Sequence, residues 1–195
     1  MASLLLPAPD ADRVDRRRRF CLATSNGSAP GRAPCGVGVA WRVVAVVAAV
    51  AIVVAYAGLS GVWVSTNAGW YLSLPRPSWQ PPDPVFGLAW VYNFTILGIV
   101  GVVLALRMLP QPLIAYLVVF AMSVTAAILW AWLFYVAHHL VAAALCLSVC
   151  ALLTVAMVVL AWREEWWCGA LLLPYQAWLI VAASLSWGYV VLTRS

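Results

Sequence analysis

Apolar residues dominate five long stretches of the chain, and charged and turn-forming residues are largely confined to the segments between them. Each stretch is close to the roughly 20 residues that an α-helix needs to cross the hydrocarbon core of a bilayer. Because lipid offers no partner for a free backbone amide, such a spanning segment must be a helix. The pattern predicts an all-α integral membrane bundle of five transmembrane helices, at Val43–Trp63, Val85–Leu106, Leu113–Val136, Leu140–Ala161 and Ala170–Leu192.

The composition supports a lipid environment. Hydrophobic residues make up 66% of the 195 residues and charged residues only 9%, whereas a water-soluble domain carries roughly 25% charged residues. Since intramembrane carboxylates usually mark ion-coupled transporters, the positions of the acidic residues argue against a proton- or sodium-driven pump. All of them lie outside the apolar stretches, at Asp10, Asp12, Asp15, Asp83, Glu164 and Glu165.

Residues 1–38 differ in character from the rest of the chain. They are rich in Pro, Gly, Ala, Ser and Arg and lack apolar periodicity, so we expect a disordered, basic cytoplasmic tail before a membrane domain that spans residues 39–195. The tail could pass for an overlong signal peptide, but the apolar run that follows has membrane length. No folded nucleic-acid-binding module accompanies the arginines, so nucleic acid is not an expected partner.

The arginines predict the orientation of the bundle, because cytoplasmic loops carry an excess of positive charge. Seven of the eleven arginines precede residue 43. If the N-terminus is cytoplasmic, Arg107 and Arg163 join them on the inner side. Only Arg76 and Arg194 then lie outside. We therefore expect a cytoplasmic N-terminus, and a C-terminus and first loop on the extracytoplasmic side.

The first loop, residues 64–84, is the most informative segment. Its prolines fix φ and remove amide donors, so we expect a rigid, mostly extended cap rather than a helix. Rigid prolines reduce the entropy lost when such a cap closes over a ligand, and the indoles of Trp70 and Trp79 supply flat apolar area. The prolines in question are Pro75, Pro77, Pro81 and Pro82.

A specific motif occupies this loop and the second predicted helix. From Trp70 to Trp90 the chain reads W-Y-x-x-L-x-R-P-x-W-x-P-P-x-x-x-F-x-x-x-W, and Gly98 follows. A second motif, LLLPYQAWLIVAASL, lies at 171–185, and a weaker one, LWAWLFY, lies at 129–135. Together these collinear motifs resemble the TspO/MBR family (translocator protein, tryptophan-rich sensory protein) over roughly residues 43–195.

The resemblance implies a small-molecule pocket among the helices beneath the first loop. Family members bind porphyrins and other tetrapyrroles there, some bind sterol-like molecules, and the resemblance implies no required cofactor. Family analogy also suggests a homodimer as a partner state beside the lipid bilayer. The ligand-binding residues implied at matching positions are Trp70, Tyr71 and Trp79 in the lid, Arg76 as a cation for propionates, and Trp90, Asn93, Trp130, Trp178 and Ala182 in the helices.

The sequence also departs from the family pattern. The family usually carries Gln and Asn in the third helix, where this chain has Ser123 and Ala127. Asn93 and Phe94 replace a Leu-Tyr pair, and Ser186 replaces an Asn near the C-terminus. Several hydrogen-bonding groups of the pocket are thus lost or moved, which bears more on the ligand than on the fold.

Each candidate has a simpler interpretation. Trp130 and Trp132 could be interfacial anchors, and Arg76 could extend to lipid headgroups. Adjacent histidines in a short turn, His138 and His139, are more often solvated than ligands of haem or metal, and no metal site is expected. The cysteines lack the spacing of a zinc site or a disulfide framework.

Three functions remain open at this point. The leading hypothesis is a non-enzymatic protein that binds a tetrapyrrole, without catalytic residues, and acts as a sensor, regulator or transporter. The second is an enzyme that degrades porphyrin with light and oxygen, with Trp90 and Trp178 as redox participants. The third is a membrane scaffold without a ligand, in which prolines and tryptophans only shape the bundle.

Overall fold

The structure, a computed structural model, describes residues 35–66 and 68–193. Residues 1–34, which hold most of the predicted tail, lie outside the described residues, as does Arg194. The described residues from Val39 onwards form one compact unit. Over the described ranges the chain forms α1 (Cys35–Thr66), α2 (Ala68–Ser73), α3 (Asp83–Arg107), α4 (Pro110–Tyr135), α5 (Leu140–Glu164) and α6 (Trp166–Leu192).

Five of these helices are long and apolar enough to cross a membrane, namely α1, α3, α4, α5 and α6. The predicted all-α class and the five spans are therefore confirmed. Proline sets two of the starts, because a proline in the first turn of a helix has no amide hydrogen left to satisfy. Pro84 lies in the first turn of α3, and Pro110 opens α4.

The helices extend beyond the apolar runs that predicted them. Helix α1 begins at Cys35 rather than Val43, and α6 begins at Trp166 rather than Ala170. The connection between α5 and α6 is consequently reduced to Glu165, whose backbone is extended. Hydropathy marks only the lipid-embedded part of a span, whereas helical hydrogen bonding continues into the interface.

One prediction for the first loop is wrong. Trp70 and Tyr71 lie on the short helix α2 and not on extended chain. A proline removes its own amide hydrogen and restricts the residue before it, so Pro75 disfavours helix at Leu74 but leaves the preceding turn free to form. The irregular part of the loop is therefore limited to residues 74–82.

The core lies between α3, α4, α5 and α6. Its largest fully buried side chains include Tyr116 and Phe120 from α4 and Tyr175 from α6. Helix α1 is more peripheral, because only 22% of its most apolar window is buried, against 33–39% for the other four spans. It packs on α3 where a Cβ added to Gly101 would lie 3.1 Å from the Cβ of Ala49.

Candidate functional site

A cavity lies between the helices at the end of the bundle that α2 covers. The space between its side chains, including the open mouth, is about 610 Å³, but the part wide enough for a water molecule is only about 60 Å³, well below the roughly 300–1,000 Å³ of usual small-molecule sites. None of the lining residues carries a formal charge. They are Tyr56, Tyr71, Phe86, Trp90, Trp130, Phe134, Tyr135, Leu147, Trp178, Leu179, Ala182, Leu185, Ser186 and Tyr189.

Indoles from α3, α4 and α6 form part of the wall, and each is held by a neighbour. The ring of Trp90 stacks on Phe94, with centroids 5.3 Å apart and an interplanar angle of 27°. The ring of Trp178 meets Phe86 edge to face at 5.2 Å. The third indole, Trp130, donates its Nε1 hydrogen to Ser186 Oγ at 3.1 Å. Contacts of this kind fix the orientation of each ring.

A ring of hydrogen bonds fastens the lid to the bundle. Tyr189 on α6 donates its hydroxyl hydrogen to Gln80 Oε1 at 2.5 Å. Gln80 Nε2 in turn donates to the hydroxyl of Tyr71 on α2 at 3.0 Å. The hydroxyl oxygens of Tyr71 and Tyr189 lie 3.2 Å apart, which closes the ring. We call these three side chains the lid latch.

The outer part of the loop also packs on α6. A Cβ added to Gly188 would lie 2.8 Å from Trp79 Cζ2 and 2.9 Å from Pro77 Cγ. Only a residue without a side chain permits this approach. Trp79 is nevertheless 55% exposed, so it covers the lid from outside and does not line the cavity.

The predicted site residues thus divide into two groups. Tyr71, Trp90, Trp130, Trp178 and Ala182 line the cavity. The other four lie elsewhere, and for these the structure shows different contacts. They are Trp70, Arg76, Trp79 and Asn93.

Trp70 and Arg76 lie at the rim. The Trp70 ring stacks on His138 at 3.9 Å and 14°, and His138 has a positive φ of 57° in the turn between α4 and α5. The Arg76 guanidinium is 45% exposed and lies 3.8 Å from a carboxylate oxygen of Asp83. An exposed pair at that distance is weak, so the Arg76 cation is available to another anion.

Asn93 is buried in the bundle, away from the cavity wall. Its residue exposure is 1%, and its Oδ1 atom has no hydrogen-bond partner. Of the replaced family positions, Ser123 is also buried and lies 3.0 Å from Thr154 Oγ1, hydroxyl to hydroxyl. Ala127 is fully buried. Ser186 does line the cavity, where its hydroxyl supplies the acceptor for Trp130.

Trp130 and Trp132, the two candidates for interfacial anchors, lie in different surroundings. Trp130 lines the cavity, whereas Trp132 on the same helix is 40% exposed on the outside of the bundle. Tyr56 and Tyr189 also line the cavity, although no motif in the sequence predicted them as site residues. The sequence does carry an indication of their role, because each is a tyrosine inside an apolar stretch. A hydroxyl group placed there needs a partner inside the protein.

Comparison with known proteins gives a consistent result. Residues 43–192 match the TspO/MBR family. Protein CrtK of Rhodobacter capsulatus is 33% identical over 133 residues, which cover 68% of this chain and 82% of that protein. A tryptophan-rich sensory protein of Cereibacter sphaeroides is 28% identical over 118 residues, which cover 60% of this chain and 72% of that protein.

Proposed function

The chain belongs to the TspO/MBR family, and we propose that it binds a porphyrin-type tetrapyrrole, or a similar planar apolar molecule, in the cavity beneath the lid. Binding would make it a membrane sensor or regulator, or a transporter, of such compounds. One observation carries the proposal: Trp90, Trp130 and Trp178 come from three different helices and line the same cavity.

The chemistry of the cavity suits a flat, largely apolar ligand. An indole buries about 150–250 Å² and prefers stacked or edge-on contact with another ring. Burying one such side chain contributes at most about 3 kcal/mol, so several must act together to reach micromolar affinity. Ser186 and the latch tyrosines add hydrogen-bonding groups at the wall.

The cavity must widen to admit such a ligand, because only a small part of its space is broad enough for a water-sized sphere. The aromatic rings of the wall can provide this freedom by changing rotamer. The charged edge of a tetrapyrrole, its propionates, would then meet Arg76 at the rim, since guanidinium groups bind carboxylates in a bidentate manner. With a cytoplasmic N-terminus, the site opens near the extracytoplasmic side.

The test is titration of the full chain in phospholipid nanodiscs with protoporphyrin IX, followed by quenching of tryptophan fluorescence. We expect the double variant Trp90→Ala/Trp178→Ala to bind about 100-fold more weakly, which corresponds to about 2.8 kcal/mol. The matched control is Trp132→Ala/Trp166→Ala, which removes two exposed indoles. Undiminished binding by the Trp90/Trp178 variant would defeat the proposal.

The same samples separate binding from breakdown. Under illumination in air, a protein that only binds leaves the protoporphyrin absorbance unchanged relative to a protein-free nanodisc. Accelerated decay that Trp90→Phe or Trp178→Phe abolishes would favour the degrading enzyme instead. Absence of saturable binding by the wild-type chain would favour the scaffold.

A further inference from the structure

A second opening lies on the side of the bundle, between the last turns of α1 and the first half of α3. It is lined by Ala57, Ser60, Gly61 and Val64 from α1 and by Trp90 and Phe94 from α3, and its space including the open side is about 530 Å³. We call it the lateral groove. It exists because the α1 face here carries mainly small side chains, whereas farther along α1 Ala49 approaches Gly101 closely. Since both helices have the length and apolarity of membrane spans, its open side faces acyl chains.

The groove and the aromatic cavity share one wall. Trp90 lines both of them. The Tyr56 ring meets the Trp90 ring edge to face, with centroids 5.9 Å apart, and Tyr56 lines the cavity but not the groove. A change in the rotamer of Trp90 would therefore join the groove to the cavity without any movement of the lid.

The unpaired hydroxyl of Ser60 indicates that the groove receives a molecule with a polar group. Ser60 is only 3% exposed, and its Oγ atom has no hydrogen-bond partner. Several other serine and threonine hydroxyls on the helices donate to a carbonyl one turn back, as Thr95 does to Val91 at 2.7 Å and Ser148 does to Ala144 at 2.8 Å. A buried hydroxyl left unpaired costs free energy, most of all where no water is present to replace the partner.

We propose that the lateral groove is the route by which the ligand passes between the bilayer and the aromatic cavity, with Trp90 as its gate. The inference rests on the proposed function for the class of ligand. A planar apolar molecule dissolved among acyl chains enters edge first, its hydrogen-bond acceptor pairs with Ser60, and Trp90 turns aside to admit it. The lid latch then remains closed during entry.

The experiment fills the groove and measures rates. Gly61→Leu places a side chain in the groove, where an added Cβ meets open space. Gly58→Leu is the matched control, because Gly58 lies on the same helix, also has open space around an added Cβ, and does not line the groove. Both changes raise helix propensity equally. Ala57→Leu fills the groove from a second position, should Gly61→Leu fail to fold.

Nanodiscs containing each variant are mixed in a stopped-flow instrument with vesicles loaded with protoporphyrin IX. A filled route raises the barrier without changing the bound state. We therefore expect association and dissociation rate constants of Gly61→Leu both to fall about tenfold at a nearly constant Kd. Gly58→Leu should behave as wild type.

Several outcomes would overturn the route. Wild-type rates in both groove-filling variants would show that the ligand enters elsewhere. Weaker affinity at an unchanged association rate would make the groove part of the resting site. Faster association would mean that a lipid chain normally occupies the groove. A changed oligomeric state at unchanged rates would make the groove a contact between subunits. Absence of any binding by the wild type would instead defeat the proposed function and the route together.

Discussion

The indole of Trp79 lies so close to Gly188 that a Cβ on that glycine would stand 2.8 Å from the ring atom Cζ2. The same Cβ would lie 2.9 Å from Pro77 Cγ. Pro77 is a ring built into the backbone, so it cannot move aside by changing a rotamer. The first loop is therefore held against α6 by shape as well as by the lid latch.

This contact predicts the effect of Gly188→Ala. The added methyl group should displace residues 77–79 and lower the free energy of unfolding by about 1–3 kcal/mol, as overpacking does in other cores. A displaced loop should also release bound ligand faster. Thermal unfolding in detergent and the dissociation rate of protoporphyrin IX provide the two readouts.

Gly98→Ala is the control for that change. Gly98 is also a helical glycine, but an added Cβ there meets nothing within 4 Å. The substitution should be neutral or stabilise the protein by about 0.5–1 kcal/mol through helix propensity. If Gly188→Ala melted at the same temperature as Gly98→Ala, the loop would not be in contact with α6 as described.

The lid latch predicts the effect of Gln80→Leu. Leucine has a similar size but cannot bond Tyr71 or Tyr189, so these two partly buried hydroxyl groups lose the shared amide and keep only each other. The expected cost is about 1–3 kcal/mol. Because the latch holds α2 and the loop, amide hydrogens of residues 68–82 should exchange faster while those of α4 and α5 keep their protection.

Gln111→Leu is the matched control for the latch, since it makes the same change at an exposed position in the first turn of α4. It should leave exchange in residues 68–82 unaltered. Equal exchange in the two variants would show that the latch does not hold the lid.

The main features of the fold could be predicted from the sequence because one solvent constraint dominates it. Lipid requires about 20 apolar residues per helical span, and that length repeats five times. Trp90 and Trp178, the two interior tryptophans of the family motifs, line the cavity, and their contact with a ligand stays a prediction.

The latch could not be predicted, because it joins residues that are far apart in sequence. Gln80 and Tyr189 are separated by 109 positions, and no periodicity relates a loop amide to a phenol on the last helix. Asn93 lies away from the cavity wall, and its contact with a ligand stays a prediction. Its position beside the Trp90 motif suggested a ligand contact, but which face of α3 is fully buried depends on how the neighbouring helices pack, and Asn93 is on that face.

The junction of α5 and α6 predicts a strong effect at Gly169. A Cβ added there would lie 2.7 Å from Trp162 Cε3 and 2.9 Å from Trp162 Cα. A backbone atom cannot yield, so Gly169→Ala should lower the free energy of unfolding by about 2–3 kcal/mol. Adding Trp162→Ala should recover only part of the loss, because the conflict with Cα remains. Full recovery in the melting temperature of the double variant would show that the ring alone causes the effect.

The arginines predict the orientation of the bundle in the membrane. Arg107 and Arg163 lie in the last turns of α3 and α5. Arg107 Nη1 also lies 3.1 Å from Oε1 of Glu165, the residue between α5 and α6. This end should be cytoplasmic because positive charge is retained there.

Reporter fusions test this orientation. A fluorescent protein that matures only in the cytoplasm should fluoresce at the N-terminus, and a phosphatase active only outside should work at the C-terminus. Insertion of the same reporters at Leu109 and at Ser78 checks the two sides internally, since these positions flank α3. Phosphatase activity at Leu109 would reverse the topology and place the aromatic cavity near the cytoplasm, where a ligand would reach it from the opposite leaflet.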